Sequence, residues 1–390
     1  MANASVLEES RRPRVLLVSQ RSVFPGAPFR CPHYEFEDII CQIDSVDVLT
    51  PVPNKWFRYG NRIAQRLAKD NLICLNPGIR KIKLQVDYDL LFAVIGYPKD
   101  LLNFNAIMNW KDRCKVSICL LDEFWVNQLS KEEVFLRALS KFDCVMLYYG
   151  QTVKALNEAI GGKCFYLPPG IDAIKFCPYP ESPKRFIDVC SIGRRSELTH
   201  QAFLGMAKEN GIYYVYDTLR AHEMIDAKQH RFSVASMLKR SEYYLVYPGL
   251  IDKPEVRGSQ LEIGNRFFEG AAAGAIMIGE APSNGEFERL FDWPDALIHL
   301  PYNSVDVRQL ISDFNKQPER KEQIRKDGVV QSLLRHDWVY RWECVLNAAG
   351  LNPTQRLLMR KQHLTDLAAE VKLGDLSRAM TNLISCGVVK

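Results

Sequence analysis

Short apolar runs rich in branched residues recur along the first half of the chain, and each ends in a polar loop. They fall at residues 14–19, 46–49, 90–95, 116–121, 144–148 and 164–167. Helical spacing of apolar positions separates several of them, for example at 62–69 and 131–142. Continuous apolar strands that alternate with helices predict a parallel sheet covered on both faces. The alternation then stops at 168–185, where Pro168, Pro169, Pro178, Pro180 and Pro183 crowd the chain. Proline removes a backbone donor and fixes φ, so this stretch reads as a linker.

Beyond the linker the pattern restarts. Strand-like runs lie at 186–193, 213–216, 243–247, 275–278 and 296–300, with helical patterns at 200–210, 231–240, 265–273 and 305–315. Residues 319–349 read as helical with a break near Gly328, and 353–385 as a charged amphipathic helical segment. The expected organisation is a disordered tail (1–12), an N-terminal Rossmann-like domain (13–167), a linker (168–185), a C-terminal Rossmann-like domain (186–350) and a helical segment (351–390). Two such domains facing across a cleft would bind ligands beyond the carboxyl ends of their strands.

A length of 390 residues suits two domains, and 47% hydrophobic with 25% charged residues suits two packed cores. A net charge of +5 is too small to argue for nucleic acid and fits a cleft that receives phosphates. The 11 cysteines are scattered without a CxxC pair, which argues against a zinc cage and for buried thiols in a reducing compartment. The first 14 residues lack the apolar core of a signal peptide, and no window offers the roughly 20 apolar residues of a membrane span. The expected location is cytoplasmic. The amphipathic C-terminal segment could touch a membrane or a partner, or be a plain surface helix.

The richest constellation is 265–279, NRFFEGAAAGAIMIG. It reads as a helix with small residues on one side, closed by a glycine and running into a strand. Its N-terminus, at Asn265 and Arg266, could host an anion through free backbone N–H groups. Glu269 lies in an apolar stretch, so its carboxylate must be paired or bound to a ligand, unless the helix is a surface one and Glu269 faces water. A second constellation is the strand ending in Gly193, Arg194 and Arg195, where two arginines could cradle a diphosphate or simply form a solvated loop. Lys253 and Arg257 are weaker phosphate candidates.

The 265–279 segment resembles the donor-site helix of the glycosyl transferases group 1 family, in which a glutamate before an Ala/Gly-rich turn and strand binds the nucleotide sugar. DVCSIGRR at 188–195 is similar to that family's strand-Gly-Arg motif, and PPGID at 168–172 to its interdomain turn. HDWVYRW at 336–342 resembles the late helix of a subgroup related to spore-maturation glycosyltransferases. The resemblance covers most of 165–350 and implies a GT-B fold and a retaining glycosyl transfer from a nucleotide-sugar donor. It assigns Glu269 to the ribose, and the diphosphate to Arg194 with Arg195 or Arg266. Many members carry two glutamates eight positions apart. Here that position holds Leu261, with Glu262 off register by one, which puts a sugar-contacting role for the first glutamate in doubt.

The first domain says less. Gly26, in the loop after the first strand, could bring backbone to a phosphate or form an ordinary turn. His33 could be a base or a structural histidine. Asp122 and Glu123, at a strand end beside Phe124 and Trp125, suit an acceptor-sugar site, because carboxylates bind hydroxyls and aromatic faces stack on sugar C–H surfaces. One of the two could deprotonate the acceptor, or Asp122 could cap a helix.

No P-loop, HExxH, GxSxG or DxD-like strand-end pair occurs. The expectation is therefore a transferase without metal or cofactor, in which arginines and helix dipoles stabilise the leaving group. The expected partners are a nucleotide sugar and an unidentified acceptor (glycan, lipid, protein or small molecule), with no nucleic acid. Rival readings are a non-catalytic nucleotide-sugar binder or scaffold and a nucleotide-sugar epimerase. An NAD enzyme is disfavoured, since neither domain shows GxGxxG after its first strand.

Overall fold

The apolar runs are strands. In chain order they are β1 (Val15–Val18), β2 (Val46–Leu49), β3 (Ile82–Lys83), β4 (Tyr88–Ile95), β5 (Ile107–Met108), β6 (Cys114–Leu121), β7 (Cys144–Leu147), β8 (Cys164–Tyr166), β9 (Ile187–Ser191), β10 (Tyr214–Tyr216), β11 (Ser241–Val246), β12 (Ile276–Gly279) and β13 (Ile298–His299). The structure is a computed structural model that describes residues 13–70, 73–217 and 224–385. The expected disordered tail, 1–12, lies outside the described residues.

The chain divides into two units. The first comprises Met1–Pro25, Glu37–Leu167 and Glu343–Leu357, and the second Gly26–Phe36, Pro168–Trp342 and Leu358–Lys390. The first unit is built on a sheet of order β2-β1-β4-β6-β7-β8, parallel throughout. Its central strands read as unbroken apolar runs because helices cover both faces. Leu91, Ala93, Ile95, Cys119, Leu121, Val145 and Leu147 share one buried cluster. Strands β3 and β5 make a separate parallel pair.

The second unit has a parallel sheet of order β10-β9-β11-β12-β13. Val189, Tyr243, Leu245, Ile276 and Ile278 form its core with Phe203 and Ile311 from the flanking helices. Both units are thus parallel α/β layers of the kind that the alternation of apolar runs and helices predicts.

Three local outcomes differ from expectation. Gly328 does not break its helix: Pro318–Gln331 runs through it. A Cβ there would come 3.1 Å from the Ala271 carbonyl oxygen, so the glycine permits close approach of the helix Asn265–Ala272. The break comes instead after a π-turn at Ser332–His336, where Asp337 is extended before the helix Trp338–Ala348. Secondly, the expected linker 168–185 contains a short helix and buried side chains. Ile171 and Phe176 are fully buried, Asp172 caps the short helix Ala173–Phe176, and Ile171 exchanges backbone hydrogen bonds of 3.0 Å with His336 and Trp338. Thirdly, the segment with Gly26 and His33 falls in the second unit.

The C-terminal segment forms the helix Gln355–Ser385, in which Arg360 is paired with Asp337 (2.7 Å) and Asp172 (2.8 Å). The cysteines among the described residues are all free thiols. Among the described residues no helix is long and apolar enough to cross a membrane.

Candidate functional site

In the second sheet β9 pairs with β10 on one side and β11 on the other. The chain leaves β9 for one neighbour and returns to the other, which makes a topological switch point, the position where open α/β sheets bind ligands. Two predicted constellations converge there. The loop after β9 carries Gly193, Arg194 and Arg195, and the chain after β11 leads into the helix Asn265–Ala272.

Gly193 has φ +79°, a left-handed conformation that glycine adopts without cost. The Arg266 guanidinium lies over it: a Cβ at Gly193 would sit 2.7 Å from Arg266 Cζ. Asp217, just beyond β10, fixes the loop. Its Oδ1 accepts from the Gly193 N–H (2.9 Å) and from Arg195 Nη1 (2.5 Å), and its carbonyl accepts from Arg195 Nη2 (2.6 Å). Arg195 also lies 5.1 Å over the Tyr216 ring. Arg195 is thus committed to holding the loop. Arg194 is freer: it is 43% exposed along its side chain and only loosely paired with Asp252 at 3.3 Å.

The helix Asn265–Ala272 begins at Gly264, and no side chain caps it. Phe267 N–H turns back to the Gly264 carbonyl at 3.3 Å, and the N–H groups of Asn265 and Arg266 with the positive end of the dipole face the N-terminus, where an anion can bind. Asn265 Oδ1 is buried without a hydrogen-bond partner among the described residues. A buried polar atom left unpaired is costly, and a ligand is one way to satisfy it.

Glu269 is buried, which removes the reading of a carboxylate facing water. Its Oε1 accepts from Arg231 Nη1, and its Oε2 has a long contact of 3.5 Å from the Tyr244 hydroxyl. Arg231, on the helix Ala227–Leu238, also donates to Glu35 from Nε (3.2 Å) and Nη2 (3.3 Å). Glu35 further accepts from Lys175 Nζ (2.9 Å) and Trp338 Nε1 (3.1 Å). Burial by itself would raise the Glu35 carboxyl, but Arg231 and Lys175 outweigh it and hold the group at about 2. Burial opposes the charge on Arg231, yet Glu35 and Glu269 push its pKa up.

Arg231 and Glu35 were missed as partners of Glu269. A faint signal existed: Arg231 shares a helix stripe with Val234, Ala235 and Leu238, and a cation on a buried stripe needs a buried anion. Nothing in the sequence links residues 196 positions apart.

The remaining predicted residues are dispersed. His33 is 2% exposed and Gly26 lies in a turn whose carbonyl accepts from Met224 N–H at 3.2 Å; both belong to the second unit. Asp122 and Glu123 are half-buried at the end of β6 in the first unit. Their N–H groups extend the pairing with Ile95 and Gly96, and Glu123 Oε1 accepts from Trp125 Nε1 at 2.8 Å. Asp122 does not cap a helix: the next helical turn, Val126–Lys131, starts from Trp125. Glu262 is buried and accepts from Gln260 Nε2 at 2.6 Å.

The fold is that of the GT-B class of glycosyltransferases. Residues 213–347, which include β11, the Asn265–Ala272 helix and β12, match the family described as Glycosyl transferase-like. Among solved structures, an alpha-glucosyltransferase in complex with UDP and a 13-mer DNA containing a central A:G mismatch aligns at TM-score 0.52 and 12% identity, over 86% of this chain and 99% of that one. The same enzyme type with UDP and a DNA carrying an HMU base aligns at 0.51 and 10%, over the same shares. Anabaena HepE in complex with UDP-glucose aligns at 0.48 and 13%, over 86% and 99%. Comparison with curated proteins finds no match.

Proposed function

We propose that the chain transfers a sugar from a nucleotide-sugar donor to a hydroxyl acceptor, and that the second unit holds the donor. One observation carries this reading: at the switch point the Arg266 guanidinium lies over Gly193, beside an uncapped helix N-terminus with an unsatisfied Asn265 Oδ1. Such a corner offers an anion charge, N–H donors and close backbone approach at once. We assign the diphosphate to Arg266, Arg194 and the N–H groups of the Asn265–Ala272 helix, with Arg195 as the loop's anchor. Glu269 Oε2, the oxygen that Arg231 leaves open, is assigned to a ribose hydroxyl.

In this reading the leaving diphosphate gains its stabilisation from fixed cations and the helix dipole, so no metal is required. The acceptor is assigned to the carboxylates Asp122 and Glu123, one of which takes the hydroxyl proton as the new glycosidic bond forms. Retention of anomeric configuration is part of the proposal and follows the family resemblance alone. Uridine nucleotides are the first donors to test, because the similarly folded alpha-glucosyltransferase is solved with UDP.

The test is the melting temperature of the protein with UDP, GDP, ADP and their sugar conjugates, in EDTA and in Mg²⁺. A ligand that binds only the native state raises the midpoint by mass action. A shift with one diphosphate family in EDTA, abolished in Arg266→Ala, supports the assignment. A shift that survives Arg266→Ala unchanged, or no shift from a folded sample, removes it.

A further inference from the structure

The helix Phe57–Lys69 of the first unit turns only a narrow face inward. Ala64 and Ala68 are buried and Phe57, Gly60 and Leu67 half-buried, all on one stripe of the helical period. At Gly60 a Cβ would come 2.6 Å from the Pro77 carbonyl oxygen, so this stripe lies flat against the body of the unit.

The outward side carries two more stripes. Trp56, Tyr59 and Ile63, three and four residues apart, are 62, 64 and 60% exposed. Beside them run the exposed side chains of Arg58, Arg62, Arg66 and Lys69, and Lys55 Nζ stands 5.4 Å from the Trp56 ring centroid. The sequence from Val48 to Lys69 contains no acidic residue; the first is Asp70, at the helix end. Val52, 43% exposed, extends the apolar side toward the preceding loop. Here three large apolar side chains are exposed together on one helical stripe, and they adjoin an unbalanced row of cations.

We propose that this helix docks on an anionic lipid surface, lying in the plane of the headgroups. The chemistry fits that occupant on both stripes. Trp and Tyr rings have an apolar body and a polar edge and settle at the headgroup level, where Ile63 reaches the acyl boundary. The long arginine and lysine side chains reach sideways to phosphates and carboxylates of anionic lipids. A helix with charged and apolar stripes side by side, and too polar to insert, has the character of an interfacial anchor. A convex helix also offers no groove to a peptide, whereas a fluid headgroup layer adapts to it.

The experiment is flotation of the full-length protein with phosphatidylcholine vesicles, with or without phosphatidylserine, at rising NaCl. The expected result is binding only to the phosphatidylserine vesicles, weakening steadily with salt. Arg58→Glu/Arg62→Glu/Arg66→Glu and, separately, Trp56→Ala/Tyr59→Ala/Ile63→Ala should each lower binding by at least about tenfold. The same charge reversal at the exposed Lys111, Lys131 and Lys154 should leave it nearly unchanged. All substituted side chains are exposed, and an unchanged unfolding midpoint confirms folding. The proposal is overturned if phosphatidylserine vesicles bind no better than neutral ones, or if the Lys111/Lys131/Lys154 control loses as much as the helix variants. It is also overturned if the helix retains the protein on an acidic polypeptide while vesicles do not. None of these readouts uses transferase activity, so the donor assignment can fail without affecting them.

Discussion

The Arg266 guanidinium and the Gly193 backbone are in contact, with no room between them for a Cβ. The contact joins the loop after β9 to the first turn of the Asn265–Ala272 helix. Gly193→Ala should therefore act in two ways. A left-handed φ of +79° costs an alanine about 1 kcal/mol, and the methyl group must push Arg266 off its position. The expected result is a small loss of stability with at least about a tenfold loss of kcat/KM for the donor. Because one side chain carries the effect, Gly193→Ala should add little in an Arg266→Ala background. Additive losses in that double-mutant cycle would mean that the contact has no part in donor binding.

Asp217 gives a second handle on the same loop. Its carboxylate holds both the Gly193 N–H and Arg195. Asp217→Ala removes the carboxylate that holds the Gly193 N–H and Arg195 Nη1, leaving the arginine on the residue 217 carbonyl and the Tyr216 ring, at a cost of about 1–3 kcal/mol. If Arg195 acts as an anchor, Arg195→Ala should match Asp217→Ala in nucleotide affinity, and both should lose less than Arg266→Ala. Measuring nucleotide Kd by calorimetry separates the roles: a larger loss in Arg195→Ala than in Arg266→Ala would make Arg195 the phosphate ligand.

The sequence makes legible whatever depends on neighbours along the chain. The apolar runs at 14–19, 116–121 and 243–247 became β1, β6 and β11 because a strand buried on both faces has no polar alternation to hide it. The position of Gly193 after β9 was legible for the same reason, whereas Glu269 read equally as a carboxylate facing water until its burial decided for a partner. The partner itself was not legible. Arg231 and Glu35 come from distant segments, and only packing of the helix Ala227–Leu238 brings them to Glu269. Gly328 misled because glycine both breaks helices and permits close packing, and only the Ala271 contact distinguishes the two. For Asp122 a helix cap stood open beside the acceptor role, and the next turn begins from Trp125.

Removing Arg231 should damage the fold more than the chemistry explains. Its guanidinium stands between two carboxylates, Glu35 and Glu269, and all three are buried. Arg231→Ala strands Glu269 and leaves Glu35 with Lys175 as its remaining cation, at a cost of about 3–5 kcal/mol. The triple variant Glu35→Gln/Arg231→Met/Glu269→Gln leaves none of these three charges buried and should cost less than Arg231→Ala alone. Urea unfolding of the two variants decides it. A triple variant less stable than the single one would mean that the ion network itself, rather than the avoided stranded charge, stabilises the second unit.

The pH dependence of stability should carry the mark of His336. Its ring is fully buried, donating from Nε2 to the Leu290 carbonyl at 3.0 Å, with Arg341 3.4 Å from Nδ1. Burial first, then the charges of Arg341 and Arg335, push its pKa well below the usual histidine value. The folded chain therefore stays neutral at this ring while the unfolded chain gains a proton as pH falls through about 6.5. Stability is full above that pH and falls below it, by about 1.4 kcal/mol per pH unit for this group. Glu35 acts in a separate window: its depressed carboxyl contributes stability above about 4.5 that is lost only at lower pH. Between pH 6.5 and 5 His200 and His230, also depressed by burial, add in the same direction, while the buried Asp337, raised by burial, opposes them. The check is the urea midpoint of wild type and His336→Asn across this range. The variant should be less stable throughout, yet its slope should be shallower by about one proton; parallel slopes would show that His336 takes up its proton in the folded state as readily as in the unfolded one.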